Sequence, residues 1–190
     1  MERVTLARWL SIVFHPFVMI SVMVGAAAAT RQMRGEAVRS VGTVVLFTVV
    51  PLAVLMWRQV HRGEWENADA SNKRERPILY VVVGVAIAAL LAYLLVFRSQ
   101  SFMVRGVVGT LGMMAVCGLG IRWIKVSLHM AFAALAGTAL VLMPAPVGYA
   151  LLAALPAIAW SRLALHRHTP FELTIGTIMG AGTGAAIHYL

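Results

Sequence analysis

Long apolar runs separated by short polar segments form the dominant pattern of the chain. Seven runs are candidate helices: 9–30, 40–57, 77–97, 104–121, 128–143, 147–160 and 171–190. A helix needs about 20 apolar residues to cross the hydrocarbon core of a bilayer. The pattern therefore predicts an all-α fold, a polytopic transmembrane bundle of six to seven helices that forms a single domain over 1–190.

The composition agrees with a membrane location. Hydrophobic residues make up 61% of the 190 residues and charged residues only 12%, whereas soluble domains carry roughly 25% charged residues. The net charge is +9, and its basic residues lie in short clusters between apolar runs, as expected for membrane flanks and anion sites. No basic, aromatic-rich soluble module is present, so we expect an integral membrane protein that does not bind nucleic acid.

The scarcity of acidic residues restricts the possible chemistry. Asp69 is the only aspartate in the chain. Intramembrane prenyltransferases and CDP-alcohol phosphotransferases hold magnesium with several aspartates, and one aspartate cannot build such a site. We therefore expect no metal or other cofactor, and a site that binds anions with Arg, Lys and His side chains.

Three polar segments interrupt the runs, at 58–76, 122–127 and 161–170. Two apolar runs separate each segment from the next, and an even number of crossings returns a chain to the same face. The segments are therefore predicted to meet at one side of the membrane. Lys and Arg are more frequent on that side, but several of them are candidate anion ligands, so the positive-inside rule leaves the side open.

The first segment ends in a basic residue before a proline. Arg76 precedes Pro77, which favours the start of a helix and places Arg76 at its entrance. Lys73 lies about one helical turn earlier and adds a second positive charge. Asn72 and Glu75 also fit a capping box, which is an alternative, purely structural use of this segment.

The second segment contains a candidate helix start. Ser127 is a suitable N-cap for the run that follows, and the first N–H groups of that helix would form a positive anion site. His129 falls in the first turn, at the edge of that site. Lys125 is a neighbouring positive charge.

The third segment, SRLALHRHTPFE, is the most polar stretch among the apolar runs. Thr169 and Glu172 have the spacing of a capping box. Glu172 also follows His168 by four residues, close enough to orient the imidazole and make it more nucleophilic. Arg162 offers a planar fork for phosphate oxygens. His166 is a second candidate histidine two residues before His168.

These segments resemble the motifs of the type 2 phosphatidic acid phosphatase family, which shares its site with vanadium haloperoxidases. The family pattern is K-x6-R-P, then P-S-G-H, then S-R-x5-H-x3-D. The third motif matches from Ser161 to Glu172, with Glu in place of Asp. The second is reduced to Ser127-Leu128-His129, and the first keeps Arg76-Pro77 but has Asp69 at the Lys position, so that Lys73 is a candidate replacement.

The resemblance implies a role for each candidate residue. His168 would be the nucleophile that forms a phosphohistidine, His129 the general acid and Glu172 the group that orients His168. The phosphoryl oxygens would be held by Arg76, Arg162 and Ser127, with Lys73 or Lys125 adding positive charge.

We therefore expect a metal-independent lipid phosphatase in the bacterial cytoplasmic membrane, acting on a lipid phosphate or diphosphate. Two alternatives remain open. One is a catalytically degenerate membrane protein that binds anionic lipid, and the other is a lipid phosphotransferase with the same histidine chemistry. The three Gly residues at 176, 180 and 184 are expected to serve helix packing.

Overall fold

The computed structural model describes residues 2–31, 34–66, 72–97 and 101–189, and the regular structure in these ranges is helical throughout. The predicted all-α fold is therefore confirmed. The helices are α1 (Glu2–Val13), α2 (Pro16–Arg31), α3 (Arg34–Val44), α4 (Val50–His61), α5 (Arg76–Phe97), α6 (Ser101–Gly120), α7 (Leu128–Leu142), α8 (Pro146–Ala164) and α9 (Pro170–Tyr189). A π-helical turn, Val45–Val49, joins α3 to α4.

Several helices are long and apolar enough to cross a membrane. Within the described ranges there are four: Gly35–His61, Arg76–Phe97, Phe102–Gly120 and Pro146–Ala164. The predicted run 9–30 is instead broken into Glu2–Val13 and Pro16–Thr30, which meet at 42° and would make a fifth span together. Helix α7, with 15 residues, is about 22 Å long. The structure is thus compatible with an integral membrane protein, and the predicted count of six to seven spans stays a prediction.

The chain divides into two compact units. The first combines Met1–Ser40 with Val126–Leu190, and the second is Val41–Lys125. The prediction that 1–190 forms one functional domain is not tested by this division and stays a prediction.

Helix α7 is the core of the first unit, because 11 of its 15 residues are buried. Helix α9 packs against it through Gly176, Gly180 and Gly184. A Cβ atom at any of these three positions would lie less than 3.0 Å from a backbone oxygen of α7 or its N-cap residue. The glycine spacing therefore permits backbone-to-backbone contact, as predicted. Helix α8 packs on α7, α2 contacts α7, and α1 lies along α8.

The second unit is built around α5. Its buried positions recur every three or four residues, as expected for one helix face: Leu79, Val83, Ala86, Ile87, Leu90 and Leu94. Helix α6 packs on this helix, with Gly118 against the ring of Tyr80. The π-helical turn and α4 also contact α5.

Candidate functional site

The turn after α8 has the hydrogen bonds of a Schellman motif, a common way to end a helix. The His166 N–H donates to the Leu163 carbonyl (2.9 Å), and the Arg167 N–H donates to the Arg162 carbonyl (3.0 Å). His166 has φ of 52° and occupies the left-handed position where glycine is usual. It is solvent-exposed. The structure therefore gives His166 a local role in reversing the chain between Arg162 and His168.

His168 and Glu172 form a close pair at the start of α9. Nδ1 of His168 lies 2.8 Å from Oε2 of Glu172, and the His168 side chain is only 1% exposed. The same oxygen accepts the Thr169 N–H (3.2 Å), while the Thr169 hydroxyl accepts the Glu172 N–H (3.3 Å). The predicted capping box is thus present. The Glu172 carboxylate therefore both caps α9 and contacts the His168 imidazole.

Ser127 brings the second polar segment to the third. Its backbone is extended at the N-cap of α7, and its N–H donates to the Glu172 carbonyl (3.3 Å). The Ser127 side chain, however, makes no capping hydrogen bond. Its hydroxyl oxygen is fully buried and has no hydrogen-bond partner within the described ranges. A buried hydroxyl beside a helix N-terminus is a favourable position for an anion.

His129 and Arg162 are both buried and both contact Ser11, a residue of α1. Arg162 Nη1 donates a short hydrogen bond to Ser11 Oγ. Nε2 of His129 lies 3.3 Å from that hydroxyl oxygen and 3.2 Å from the Ser11 carbonyl oxygen. The ring of His15, at the break between α1 and α2, is 5.4 Å from the His129 ring, centroid to centroid.

Sequence reasoning did not identify Ser11. The only indication in the sequence is that a hydroxyl stands inside an apolar run, and such residues usually face the interior of a helix bundle. Its partners lie 118 and 151 residues away along the chain, so no local motif links them.

The remaining candidate cations belong to the second unit. Arg76 is buried at the start of α5. The Lys73 ammonium donates a hydrogen bond to the Arg122 carbonyl (2.8 Å), so the first polar segment contacts the second here. Lys125 is half-buried. Their contribution to a phosphate site stays a prediction, and the Asp69 position lies outside the described residues.

The turn before α5 uses its acidic residue structurally. Glu75 is buried and its carboxylate accepts the backbone N–H groups of Glu66 (3.0 Å) and Asn72 (3.2 Å). The Asn72 side chain accepts the Arg74 N–H (3.1 Å). One of the two hydrogen bonds of the suggested capping box, from the Asn72 N–H to the Glu75 carboxylate, is therefore formed. It orders the turn that leads into Arg76.

Each unit contains a contact between polar segments. In the second unit the Lys73 ammonium contacts the Arg122 carbonyl, and in the first unit the Ser127 N–H contacts the Glu172 carbonyl. That all three share one membrane face stays a prediction. Within the described part of the chain, no three His, Cys, Asp or Glu side chains come together in a group that could hold a metal ion.

The first unit thus contains five of the predicted site residues, in two contact-linked groups. His168, Glu172 and Ser127 are linked through the start of α9, while His129 and Arg162 are linked through Ser11. Comparison of the chain with family models, with curated proteins and with solved structures finds no match in any of the three.

Proposed function

We propose that this protein is an integral-membrane lipid phosphatase that hydrolyses a lipid phosphate or diphosphate through a phosphohistidine. One observation carries the proposal. The buried His168–Glu172 pair begins α9, and the Glu172 carbonyl is bonded to Ser127, whose hydroxyl is buried without a partner in the described ranges at the start of α7. The hydrogen bond between Ser127 and Glu172 thereby links the proposed nucleophile, His168, to the N-terminus of α7, where an anion can bind.

The nucleophile is His168. A carboxylate only accepts hydrogen bonds, so Glu172 selects the tautomer with the proton on Nδ1. Nε2 then carries the lone pair that attacks phosphorus. The negative charge of Glu172 also stabilises the imidazole as it becomes positively charged in the transition state.

The phosphoryl oxygens are held by groups that donate hydrogen bonds. The Ser127 hydroxyl and the first N–H groups of α7 supply neutral donors at a positive helix end. Arg162 supplies a guanidinium. Phosphoryl transfer depends mainly on positioning and charge stabilisation, which these groups can provide.

The reaction proceeds in two balanced steps. The bond from phosphorus to the lipid oxygen breaks as the bond from Nε2 of His168 to phosphorus forms, and His129 gives a proton to the leaving oxygen. Water then attacks the phosphohistidine, loses a proton to His129 and releases inorganic phosphate. His168 and His129 are restored for the next turnover.

The substrate is a lipid because the chain is largely apolar helix. Within the described part of the chain, four helices have the length and hydropathy to cross a bilayer, and 61% of all residues are hydrophobic. A lipid phosphate places its apolar tail among such helices and its charged end at the helix termini. We place the protein in the bacterial cytoplasmic membrane, and the substrate class includes phosphatidate, phosphatidylglycerophosphate and polyprenyl phosphates or diphosphates.

The test is phosphate release by the detergent-purified protein, in EDTA, from phosphatidate, phosphatidylglycerophosphate and undecaprenyl diphosphate. We expect turnover by the wild type and a loss on the order of 10³-fold in His168→Ala. The matched control is His166→Ala, which removes the exposed neighbouring imidazole and should keep its activity. Protein-bound phosphate that is acid-labile and base-stable should accumulate in the wild type during turnover.

The same assay separates the alternatives. Intact lipid binding with no release from any substrate would favour a binding protein. Transfer of phosphate to an added alcohol lipid, with little release to water, would favour a phosphotransferase. Full activity in His168→Ala would refute the assignment of the nucleophile.

A further inference from the structure

Helix α1 turns small residues inward. Ala7 and Ser11, one helical turn apart, are its buried residues, whereas Trp9 and Ile12 are 62% and 60% exposed. A buried hydroxyl in an apolar helix is retained only where it has polar partners. The contacts of Ser11 therefore indicate what this face of α1 serves.

Ser11 connects three helices through one residue. Its hydroxyl oxygen contacts Arg162 of α8 and His129 of α7, and its carbonyl oxygen contacts the same nitrogen of His129. Both partners are themselves buried. One residue of α1 thus touches both a predicted phosphate ligand and the predicted general acid.

The chemistry of the hydroxyl allows it to hold both partners through a proton transfer. A guanidinium cannot accept, so Ser11 Oγ accepts from Arg162 and keeps its own hydrogen for another group. Nε2 of His129 faces Ser11, so the proton that His129 exchanges with the substrate is the one on Nδ1, and Nε2 keeps its own hydrogen before and after the transfer. In both states that hydrogen can be donated to the Ser11 carbonyl oxygen (3.2 Å) or to the Ser11 hydroxyl oxygen (3.3 Å).

We propose that Ser11 is a positioning residue that holds the His129 imidazole and the Arg162 guanidinium at a fixed separation in either protonation state of His129. This inference rests on the proposed phosphatase function. A general acid must lie within hydrogen-bond reach of the leaving oxygen, and a displacement of about 1 Å can cost roughly 10²-fold in rate. Ser11 keeps the proton donor in place relative to a group that holds the phosphate.

The chain offers a matched control for Ser11 at the same pair of helices. The hydroxyl of Ser161, in α8, is fully buried and donates to the Ala7 carbonyl of α1 (2.7 Å). Ser161→Ala and Ser11→Ala therefore each remove one buried hydroxyl that joins α1 to α8. Of these two hydroxyls, the one of Ser11 contacts His129 and Arg162, and the one of Ser161 contacts the Ala7 carbonyl instead.

The experiment compares two substrates that differ in their need for a general acid. Dioleoyl phosphatidate has an alkyl leaving group, which needs a proton as it departs. The p-nitrophenolate of p-nitrophenyl phosphate departs without one. We measure kcat and KM for both, in one detergent, together with the thermal unfolding midpoint of each variant.

Ser11→Ala is expected to lower kcat for phosphatidate by about 10–100-fold, the usual cost of losing a hydrogen bond to a charged group. We expect the loss for p-nitrophenyl phosphate to be at least about 5-fold smaller, since that substrate needs no general acid and is affected only through the contact of Ser11 with Arg162. Ser11→Thr keeps the hydroxyl and should restore phosphatidate turnover to within about 3-fold of wild type. Ser161→Ala should stay within about 3-fold on both substrates.

The outcomes separate this inference from the proposed function. An equal loss on both substrates, an equal loss in Ser161→Ala, or no recovery in Ser11→Thr would overturn the positioning role and leave the phosphatase standing. If Ser11→Ala does not fold, Ser11→Cys keeps the size but weakens the hydrogen bonds, and the same selective loss is required of it. A wild type inactive on these two substrates and on the whole panel of lipid phosphates would overturn both proposals.

Discussion

The packing of α9 on α7 allows a sharp test of the fold. Gly180 and Gly182 lie two residues apart on the same helix, but only one faces α7. A Cβ atom at Gly180 would lie 2.0 Å from the Ala131 carbonyl oxygen, whereas at Gly182 it would meet nothing within 4 Å. Gly180→Ala and Gly182→Ala are therefore the same chemical change in opposite environments.

The size of the effect follows from the clash. Overpacking in a well-packed core costs about 1–3 kcal/mol, occasionally more. A backbone carbonyl cannot rotate away as a side chain can, so α9 must shift as a whole, which also disturbs the contacts at Gly176 and Gly184. Replacing Gly by Ala inside a helix returns about 0.5–1 kcal/mol. We take the upper end of the packing cost, about 3 kcal/mol, less this return, and expect Gly180→Ala to lose ~2–2.5 kcal/mol and Gly182→Ala to gain ~0.5–1 kcal/mol.

Thermal unfolding in detergent measures the difference. For a chain of 150–250 residues, 1 kcal/mol shifts the midpoint by about 2–4 °C, so the two variants, which differ by about 3 kcal/mol, should differ by roughly 6–12 °C. Equal midpoints would refute the close approach of α9 to α7. A lower midpoint for Gly182→Ala than for Gly180→Ala would mean that the opposite face of α9 is the packed one.

Three further variants test individual residues of the first unit. His166→Gly should raise the free energy of unfolding by up to about 1 kcal/mol, because glycine relieves a left-handed residue, with phosphatase activity unchanged; lower stability in denaturant titration would contradict the Schellman turn. Glu172→Gln keeps an oxygen to cap α9 but loses the charge beside His168, so turnover should fall on the order of 10²-fold or more at nearly constant midpoint; unchanged turnover would make Glu172 a cap alone. Ser127→Ala removes a buried hydroxyl, which should leave stability equal or higher, while inorganic phosphate or orthovanadate should inhibit about 10-fold more weakly; unchanged inhibition would exclude Ser127 as a phosphate ligand.

Much of the fold was predictable because hydropathy acts locally. The apolar runs became helices, and the 147–160 run lies within α8, which continues to Ala164. The break of the 9–30 run was missed, although Pro16 follows the break and a proline disfavours helix in the residue before it. Nor did the sequence predict that α7 would be a short helix buried on most sides. An apolar run has the same composition whether protein or lipid surrounds it.

In the candidate site too, contacts between residues close in sequence were predictable and contacts between distant helices were not. His168 and Glu172 were predictable as a pair because they stand four positions apart across the capping box that begins α9, and the structure brings them to 2.8 Å. Thr169 and Glu172 followed from the sequence spacing of a capping box. Ser11 was not predictable, since its contacts with His129 and Arg162 depend on how α1 packs against α7 and α8.

Glu172 makes several contacts that link His168, the proposed nucleophile, to residues near it in sequence, so this part of the candidate site was predictable from a short sequence pattern. One carboxylate oxygen accepts from the Thr169 N–H and contacts Nδ1 of His168, while the Glu172 carbonyl accepts from the Ser127 N–H. The interactions that begin α9 therefore also orient the imidazole and set the start of α7 beside it. A capping box is a short sequence pattern, so the position of His168, the proposed nucleophile, relative to Glu172 can be predicted from the sequence. His129, the proposed proton donor, is contacted by Ser11 of a distant helix, and no short sequence pattern marks that contact.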